Sequence, residues 1–483
     1  MKSAQKTAIE GPVRVRFAPS PTGFLHVGGT RTAIYNELLR QSIGGAMILR
    51  IEDTDKERSD DAMTRQIQSA LTWIGIEWDE GPFLQSERYP RHHERGEELL
   101  GAGKAYRCFC TTGELEALRA EAQKQNLTFR YPRTCAHLSK EEVASRLEAG
   151  TPFVVRFRMP EGHIRFLDLL HGEVEFPQDA LDDFILLRSD GSPTYHMSVV
   201  CDDIDMGVTH VIRGEDHLSN TPKHVPLFQA LGGTVPLFAH LPLILGPDKK
   251  RLSKRIGSTS VEEFRNEGIL PAALYNYLAL LGWSPGEDRE LMTRAEMIEL
   301  FTAERLNKAA AVFDREKLLW MNQQYLMKAP IDELLRELQP FLEEVGLGQV
   351  DRDRLAQVVE LYRVRARTLR EMAQPLPPYF TGELTYDPAA CTKFKADAEL
   401  PGRLESLKQW WGALEDWNAT ALDEALRQEA ERQGVKAAVL IHPVRMALTN
   451  ATGGPSLFDL VAVTGREATL RHLERFAAFL RSA

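Results

Sequence analysis

Along the first hundred residues, short apolar runs alternate with Gly- and Pro-rich turns and with a helical spacing of apolar positions. Val13 to Phe17 is a short extended run closed by Ala18-Pro19-Ser20-Pro21-Thr22-Gly23. Ala33, Ile34 and Leu38 recur at helical spacing and predict a helix beginning near Thr30, ended by Gly44-Gly45. Met47 to Ile51 reads as a second buried strand running into Glu52-Asp53-Thr54-Asp55. The order strand, Gly-rich turn, helix, strand, helix predicts an open parallel sheet, in which ligands collect at the carboxyl ends of the strands.

The pattern changes from about Thr111. A polar helical stretch is followed by Phe153 to Met159 and Ile164 to Phe176, which read as strands of a β-containing domain inserted into the sheet domain. Tyr195 to Arg213 then resumes apolar strand character, with Val199, Val200, Val208, Val211 and Ile212. After Arg255 the chain is mainly helical. Ser260-Val261-Glu262-Glu263 fits a capping box, and Pro271 can start a helix bearing Leu274, Leu278 and Leu281 on one face. Helical patterns continue to Ala483, broken at Pro375-Leu376-Pro377-Pro378 and Gly453-Gly454-Pro455.

Length and charge narrow this picture. At 483 residues the chain is too long for one ordinary domain, and a prior of about 150 residues per domain suggests roughly three. No apolar run approaches the roughly 20 residues that span a bilayer, and the N-terminal stretch has no apolar core for a signal peptide. Five cysteines (Cys108, Cys110, Cys135, Cys201 and Cys391) form an odd, sparse set that predicts a reducing, cytoplasmic setting rather than a disulfide framework. A net charge of −10 argues weakly against nucleic-acid binding, but a basic groove can sit on an acidic body. Arg352, Arg354, Arg363, Arg365, Arg367 and Arg370 read equally as a solvated helix face or as an RNA contact.

Three short stretches carry candidate chemistry. Phe24-Leu25-His26-Val27-Gly28-Gly29 joins a strand to a helix, where small residues let a phosphate approach the backbone and the helix N-terminus favours its charge. The imidazole of His26 can donate a hydrogen bond to a phosphate oxygen. Far downstream, Asp248 to Ser258 contains Lys249, Lys250, Arg251, Lys254 and Arg255. Taken alone this is a solvated basic loop; beside a triphosphate, such a loop neutralises charge that develops during displacement at phosphorus. Cys108-Phe109-Cys110 and Cys135-Ala136-His137 offer four soft or borderline ligands in two close pairs, enough to close a tetrahedral zinc site, and equally readable as buried thiols and a surface histidine. Cys201 and Cys391 read as packed thiols.

Taken together, these motifs resemble one family. His26-Val27-Gly28-Gly29 resembles the HIGH element, and Arg251 to Arg255 the KMSKS element, of class I aminoacyl-tRNA synthetases. Arg16 to Asn36, Arg50 to Asp55, Pro193 to His196, Gly207 to Pro222 and Phe313 to Asn322 are similar to bacterial glutamyl-tRNA synthetases, and weaker similarity continues to Pro443–Thr449. The resemblance implies an α/β Rossmann-type parallel-sheet catalytic domain in two halves, 1–110 and 193–250. It implies an inserted α+β acceptor-end domain at 111–192, a KMSKS and stem-contact helical domain at 251–328, and an all-α anticodon-binding region at 329–483. It implies activation of glutamate with ATP and transfer to the terminal ribose of tRNA-Glu, by a cytoplasmic monomer.

Residue roles follow from the same resemblance. Arg16, Tyr195 and Arg213 would hold the glutamate side-chain carboxylate, and Ala18, Ser20 and Glu52 would receive the α-amino group. A carboxylate facing two guanidiniums gains charge-assisted hydrogen bonds that an amide cannot reproduce. His26 and Gly28 would border the α-phosphate, and Lys254 would meet the leaving pyrophosphate, with Mg2+ bound largely through phosphates and water. Cys108, Cys110, Cys135 and His137 resemble a structural zinc signature, with residues 111–134 as its 24-residue gap. Arg365 is the candidate reader of the third anticodon letter. Two departures stand out: Gly29 replaces the second HIGH histidine, and Arg251 the first KMSKS lysine, which leaves the catalytic weight on Lys254. The residues after Asn322 argue against the shorter paralogue that modifies a tRNA base, and Ala18 to Gly23 argues against a glutaminyl enzyme. His26, Lys254, Arg16 and Arg213 argue against an inactive RNA-binding paralogue. Use of tRNA-Gln as a second substrate stays open at this level.

Overall fold

Strand β1 (Val13–Phe17) starts a sheet whose other strands come from far along the chain. The computed structural model describes residues 12–54, 60–127, 129–177, 181–252, 259–382 and 384–482. These fall into two units, Met1–Glu263 with Tyr275–Asp314, and Phe264–Leu274 with Arg315–Ala483.

In the first unit, β1 pairs in parallel with β2 (Gly45–Ile51), and β2 with β3 (Glu80–Leu84). Further strands are β4 (Ala105–Cys108), β5 (Val154–Phe157), β6 (His163–Asp168), β7 (Gly172–Pro177), β8 (Ile185–Leu187), β9 (His210–Gly214) and β10 (Leu237–Leu241). The main sheet has the order β3-β2-β1-β9-β10-β6-β7, parallel except for the β6–β7 hairpin. Strand order reverses between β1 and β9, the crevice in which an open α/β sheet binds its ligands.

Helix α1 (Val27–Ile43) starts three residues before Thr30, because His26 rather than a serine or aspartate caps it. Gly44, at φ +77°, ends it in a conformation that costs a glycine nothing. The strands expected between Phe153 and Phe176 divide between two sheets. Strand β5 pairs with β4 and β8 in a small antiparallel sheet, whereas β6 lies parallel to β10 and extends the main one. The expected strand character of Tyr195 to Arg213 is half wrong. Tyr195–Asp205 is a helix and only His210–Gly214 a strand. Met197 to Asp203 are all buried, so the helix has no polar face and its apolar run cannot be told from a buried strand by period.

The capping box at Ser260 is present. The Glu263 amide donates to Ser260 Oγ at 3.3 Å, and the Ser260 amide to Glu263 Oε2 at 3.0 Å. The second unit is helical throughout its described residues after Arg315, around one apolar cluster that includes Leu334, Val358 and Leu376 and another built on Leu404, Trp411 and Phe476. Its arginine-rich stretch is not one face. Arg363 is buried and donates to the carbonyls of Leu326 and Ala329, Arg354 donates to that of Thr464, and Arg370 to that of Asn266. Arg365, just beyond the helix Arg352–Arg363, is exposed. Among the described helices, none is long and apolar enough to cross a membrane.

Candidate active site

A cavity of about 700 Å³ opens at the carboxyl ends of β1 and β9. Arg16 and Phe17 from β1, the 18–25 turn, His26 and Gly28 of the α1 start, Glu52 after β2, Tyr195, and Arg213 with His217 line it. All the residues expected to meet glutamate are therefore brought to one cavity, along with His26, Gly28 and Arg251. Lys254 lies outside the described residues. Its flanks are anchored at the cavity. Leu252 N–H donates to the Ile244 carbonyl at 3.1 Å, and Val27 N–H to the Thr259 carbonyl at 2.9 Å. The first motif and the residue Thr259, which follows the second, are thus joined by a backbone hydrogen bond.

His26 does more than border the cavity. Its Nδ1 accepts from the backbone N–H of Gly28 at 3.1 Å and of Gly29 at 3.2 Å, capping α1. With Nδ1 an acceptor, the proton of the neutral ring sits on Nε2. Desolvation by the surrounding protein, then the Arg251 charge, push its pKa below the ordinary value and so favour the neutral ring. The two amides expected to cradle a phosphate are therefore committed to the imidazole. Gly28 leaves the ring its space, since a Cβ there would stand 3.0 Å from His26 Cε1, whereas one at Gly29 would stand 3.1 Å from the Leu25 side chain.

The floor of the cavity is a buried ionic network. Asp203 accepts from Arg50 at 2.7 Å and lies 3.4 Å from Arg16 Nε. Arg50, fully buried, also faces Glu52 at 3.5 Å and Asp202 at 3.9 Å. Desolvation works against the Arg50 charge, but Asp203, Glu52 and Asp202 outweigh it and raise its pKa. Burial raises the Glu52 carboxyl above its ordinary value, opposed by Arg50 and Arg16. The Glu52 N–H donates to the Pro19 carbonyl at 2.9 Å, which ties the backbone of the 18–20 turn to that of Glu52.

Arg213 is held on every edge. Nη1 donates to the Tyr195 hydroxyl at 3.3 Å, Nη2 to Thr221 Oγ1 at 2.7 Å, and Nε to His240 Nε2 at 3.1 Å. The Tyr195 hydroxyl lies 2.8 Å from His217 Nδ1, and Asn220 Nδ2 3.3 Å from the same nitrogen. Burial first, and Arg213 second, bring the His217 pKa down to about 4, so it is a neutral acceptor beside the guanidinium. Sequence reasoning missed His217, Asp203, Arg50 and His240. His217 stands inside the quoted stretch Gly207 to Pro222, and the Asp202-Asp203 pair inside an apolar run was a visible signal of buried charge.

Away from this cavity, the ligand atoms of Cys108, Cys110 and Cys135 lie within 4.8 Å of one another. The Tyr131 hydroxyl sits 3.2 Å from Cys108 Sγ and 3.6 Å from Cys110 Sγ. His137, on the same 3-10 turn as Cys135, is exposed and outside this group of three thiols.

A family model described as tRNA synthetases class I (E and Q), catalytic domain, matches residues 12–320, and one described as anticodon binding domain matches residues 333–477. Glutamate--tRNA ligase 2 of Koribacter versatilis (strain Ellin345) is 45% identical over 471 residues, covering 97% of this chain and 98% of the relative. The glutamate--tRNA ligase of Geobacter sulfurreducens is 46% identical over 469 residues, covering 97% and 99%. The crystal structure of a glutamate tRNA ligase from Elizabethkingia meningosepticum in complex with its amino acid superposes with a TM-score of 0.88 at 35% identity, covering 97% of this chain and all of that one.

Proposed function

Because the chain belongs to the glutamate–tRNA ligases of class I, we propose that its cavity seats glutamate between Arg16 and Arg213 and presents the α-carboxylate to ATP. The observation that carries this reading is the convergence of Arg16, Arg213, Tyr195, Glu52 and His26 on one crevice at the strand-order reversal. The chain is an enzyme that joins glutamate to transfer RNA in two steps. The substrate α-carboxylate attacks the α-phosphorus of ATP and expels pyrophosphate, and a ribose hydroxyl of the transfer RNA then takes the glutamyl group from the adenylate. No protein nucleophile is needed; the rate comes from positioning and charge stabilisation.

Each residue has one task in this scheme. Arg16 and Arg213 receive the side-chain carboxylate, with Tyr195 beside them, its hydroxyl accepting from Arg213 and facing His217. Glu52 and the backbone of Ala18 and Ser20 receive the α-ammonium group. His26 donates from Nε2 to an α-phosphate oxygen, beside Gly28. Arg251 and Lys254 balance the charge of the leaving pyrophosphate, and Mg2+ arrives with the ATP. Pyrophosphate exchange by the full chain with glutamate, ATP and transfer RNA tests the assignment. Arg213→Gln should raise the glutamate KM sharply while its KM for ATP stays unchanged. An unchanged glutamate KM would remove Arg213 from the site.

In the second unit, Arg365 is the proposed reader of the third anticodon letter, and tRNA-Glu the preferred substrate over tRNA-Gln. Its exposure, among arginines otherwise committed to carbonyls and carboxylates, supports this choice. Arg365→Gln should raise charging of tRNA-Gln relative to tRNA-Glu; an unchanged ratio refutes it.

The three thiols fit a structural Zn2+ site, since their sulfurs are close enough to share one ion. Cys108, Cys110 and Cys135 would hold it, and the position of the Tyr131 hydroxyl favours that oxygen over His137 as the fourth ligand. The ion would fasten β4 to the turn Thr134–His137, and none of its thiols lines the cavity.

A further inference from the structure

Arg213 and Arg16, both facing the cavity, are held through Nε by very different partners. Arg16 Nε faces a carboxylate, Asp203, at 3.4 Å, so its charge is already shared. Arg213 Nε faces an imidazole nitrogen, His240 Nε2, at 3.1 Å. Behind that ring, Asp168 Oδ2 lies 2.6 Å from His240 Nδ1. Asp168, His240 and Arg213 are all buried.

The sheet register builds this row. His240 on β10 is the partner of Arg213 on β9, and Phe238 on β10 is the partner of Asp168 on β6. Three neighbouring strands thus each contribute one member. Asp168 is itself fixed: its Oδ1 accepts from the amides of Leu170 and His171, both at 2.9 Å, and lies 3.0 Å from His171 Nδ1.

An ionised carboxylate can only accept, so the neutral His240 ring carries its proton on Nδ1. Its Nε2 lone pair faces Arg213 Nε at 3.1 Å together with the Thr221 hydroxyl at 3.0 Å, which itself accepts from Arg213 Nη2. A neutral acceptor orients a guanidinium without cancelling its charge. A carboxylate at that place would neutralise Arg213 before any substrate arrived, whereas the Asp168 charge stands one imidazole ring further back. Arg213 is therefore the arginine whose charge is left to distinguish a carboxylate from an amide.

We infer that Asp168 and His240 are positioning residues for amino-acid selection. Asp168 fixes the tautomer of His240, and His240 Nε2 fixes the Arg213 guanidinium that receives the substrate's side-chain carboxylate. This rests on the reading that Arg213 binds that carboxylate.

Pyrophosphate exchange with transfer RNA present, at varied glutamate and varied ATP, tests it on the full chain. In Asp168→Asn the two shorter amide contacts, from Leu170 and His171, outnumber the single one from the His240 N–H at 3.2 Å and keep the amide oxygen, so the NH2 faces His240 and moves the ring proton to Nε2. Both Asp168→Asn and His240→Leu should raise the glutamate KM about tenfold or more and leave the ATP KM within about twofold. His240→Gln, whose carbonyl can take the place of Nε2, should stay within about threefold of the parent, a rescue that loss of packing would not give. Folded Asp168→Asn and His240→Leu proteins with the parent glutamate KM overturn the inference, as does a parallel rise in both KM values. Should His240→Leu fail to fold, the contrast between Asp168→Asn and His240→Gln decides. Arg213→Gln separates the two readings. If it also leaves the glutamate KM unchanged, the carboxylate site has been misassigned; if it alone raises that KM, only the positioning role falls.

Discussion

Two nitrogens of His26 have separate tasks, and two substitutions separate them. Nδ1 caps α1 by accepting from the Gly28 and Gly29 amides at 3.1 and 3.2 Å, while Nε2–H is left for the cavity. Asparagine is among the best N-cap residues, and its side-chain oxygen can take over the Nδ1 contacts. It is too short to supply the second donor. Alanine removes both.

The cap contributes about 1 kcal/mol, the middle of the range for such residues, because one acceptor is shared by two amides. In a unit of this size that corresponds to a fall in Tm of roughly 2 °C. Loss of a preorganised donor to a phosphate oxygen costs about 100-fold or more in kcat, by analogy with oxyanion-site donors. His26→Ala should therefore lose both stability and rate, and His26→Asn should lose rate alone. Calorimetry gives the first quantity and pyrophosphate exchange at saturating substrates the second. The glutamate KM should stay near the parent value in both, since Arg16 and Arg213 stand on other elements. If His26→Asn recovers full exchange, the imidazole is only a cap and its catalytic assignment is wrong.

Gly28→Ala should leave Tm unchanged or slightly higher, because alanine favours helix by about 1 kcal/mol, yet lower kcat, because its Cβ would press on His26 at 3.0 Å; unchanged kcat would show that the ring has room to shift. Glu52 has a pKa raised chiefly by burial, so the charge that meets the α-ammonium group is present above that raised value and lost as pH falls through it. Glutamate affinity should fall with decreasing pH before an ordinary carboxyl would titrate, and binding calorimetry on Glu52→Gln should show a weak affinity without that pH dependence. Protein purified without chelator should carry about one zinc per chain; Cys135→Ser and Tyr131→Phe should lower it and His137→Ala should not. Loss of zinc in His137→Ala alone would return the fourth position to the imidazole.

Why some of this was legible in the sequence, and some not, comes down to where each group finds its partner. Val13–Phe17 and the Gly44 stop are set by neighbours within a few residues, and the chain places both where local pattern puts them. The helix Tyr195–Asp205 failed because burial on all sides removed the polar face that reveals helical period. Arginines are the sharper case. Arg16, Arg213, Arg363 and Arg365 are the same letter, and only the order of motifs marked the first two. Arg363 turns inward to the carbonyls of Leu326 and Ala329, while Arg365, two residues on, stays exposed. What a guanidinium can do depends on whether its charge is already matched. Asp203 shares the charge of Arg16, while His240 orients Arg213 and leaves its charge whole. That difference is written in the register of β6, β9 and β10, which no spacing along the chain records.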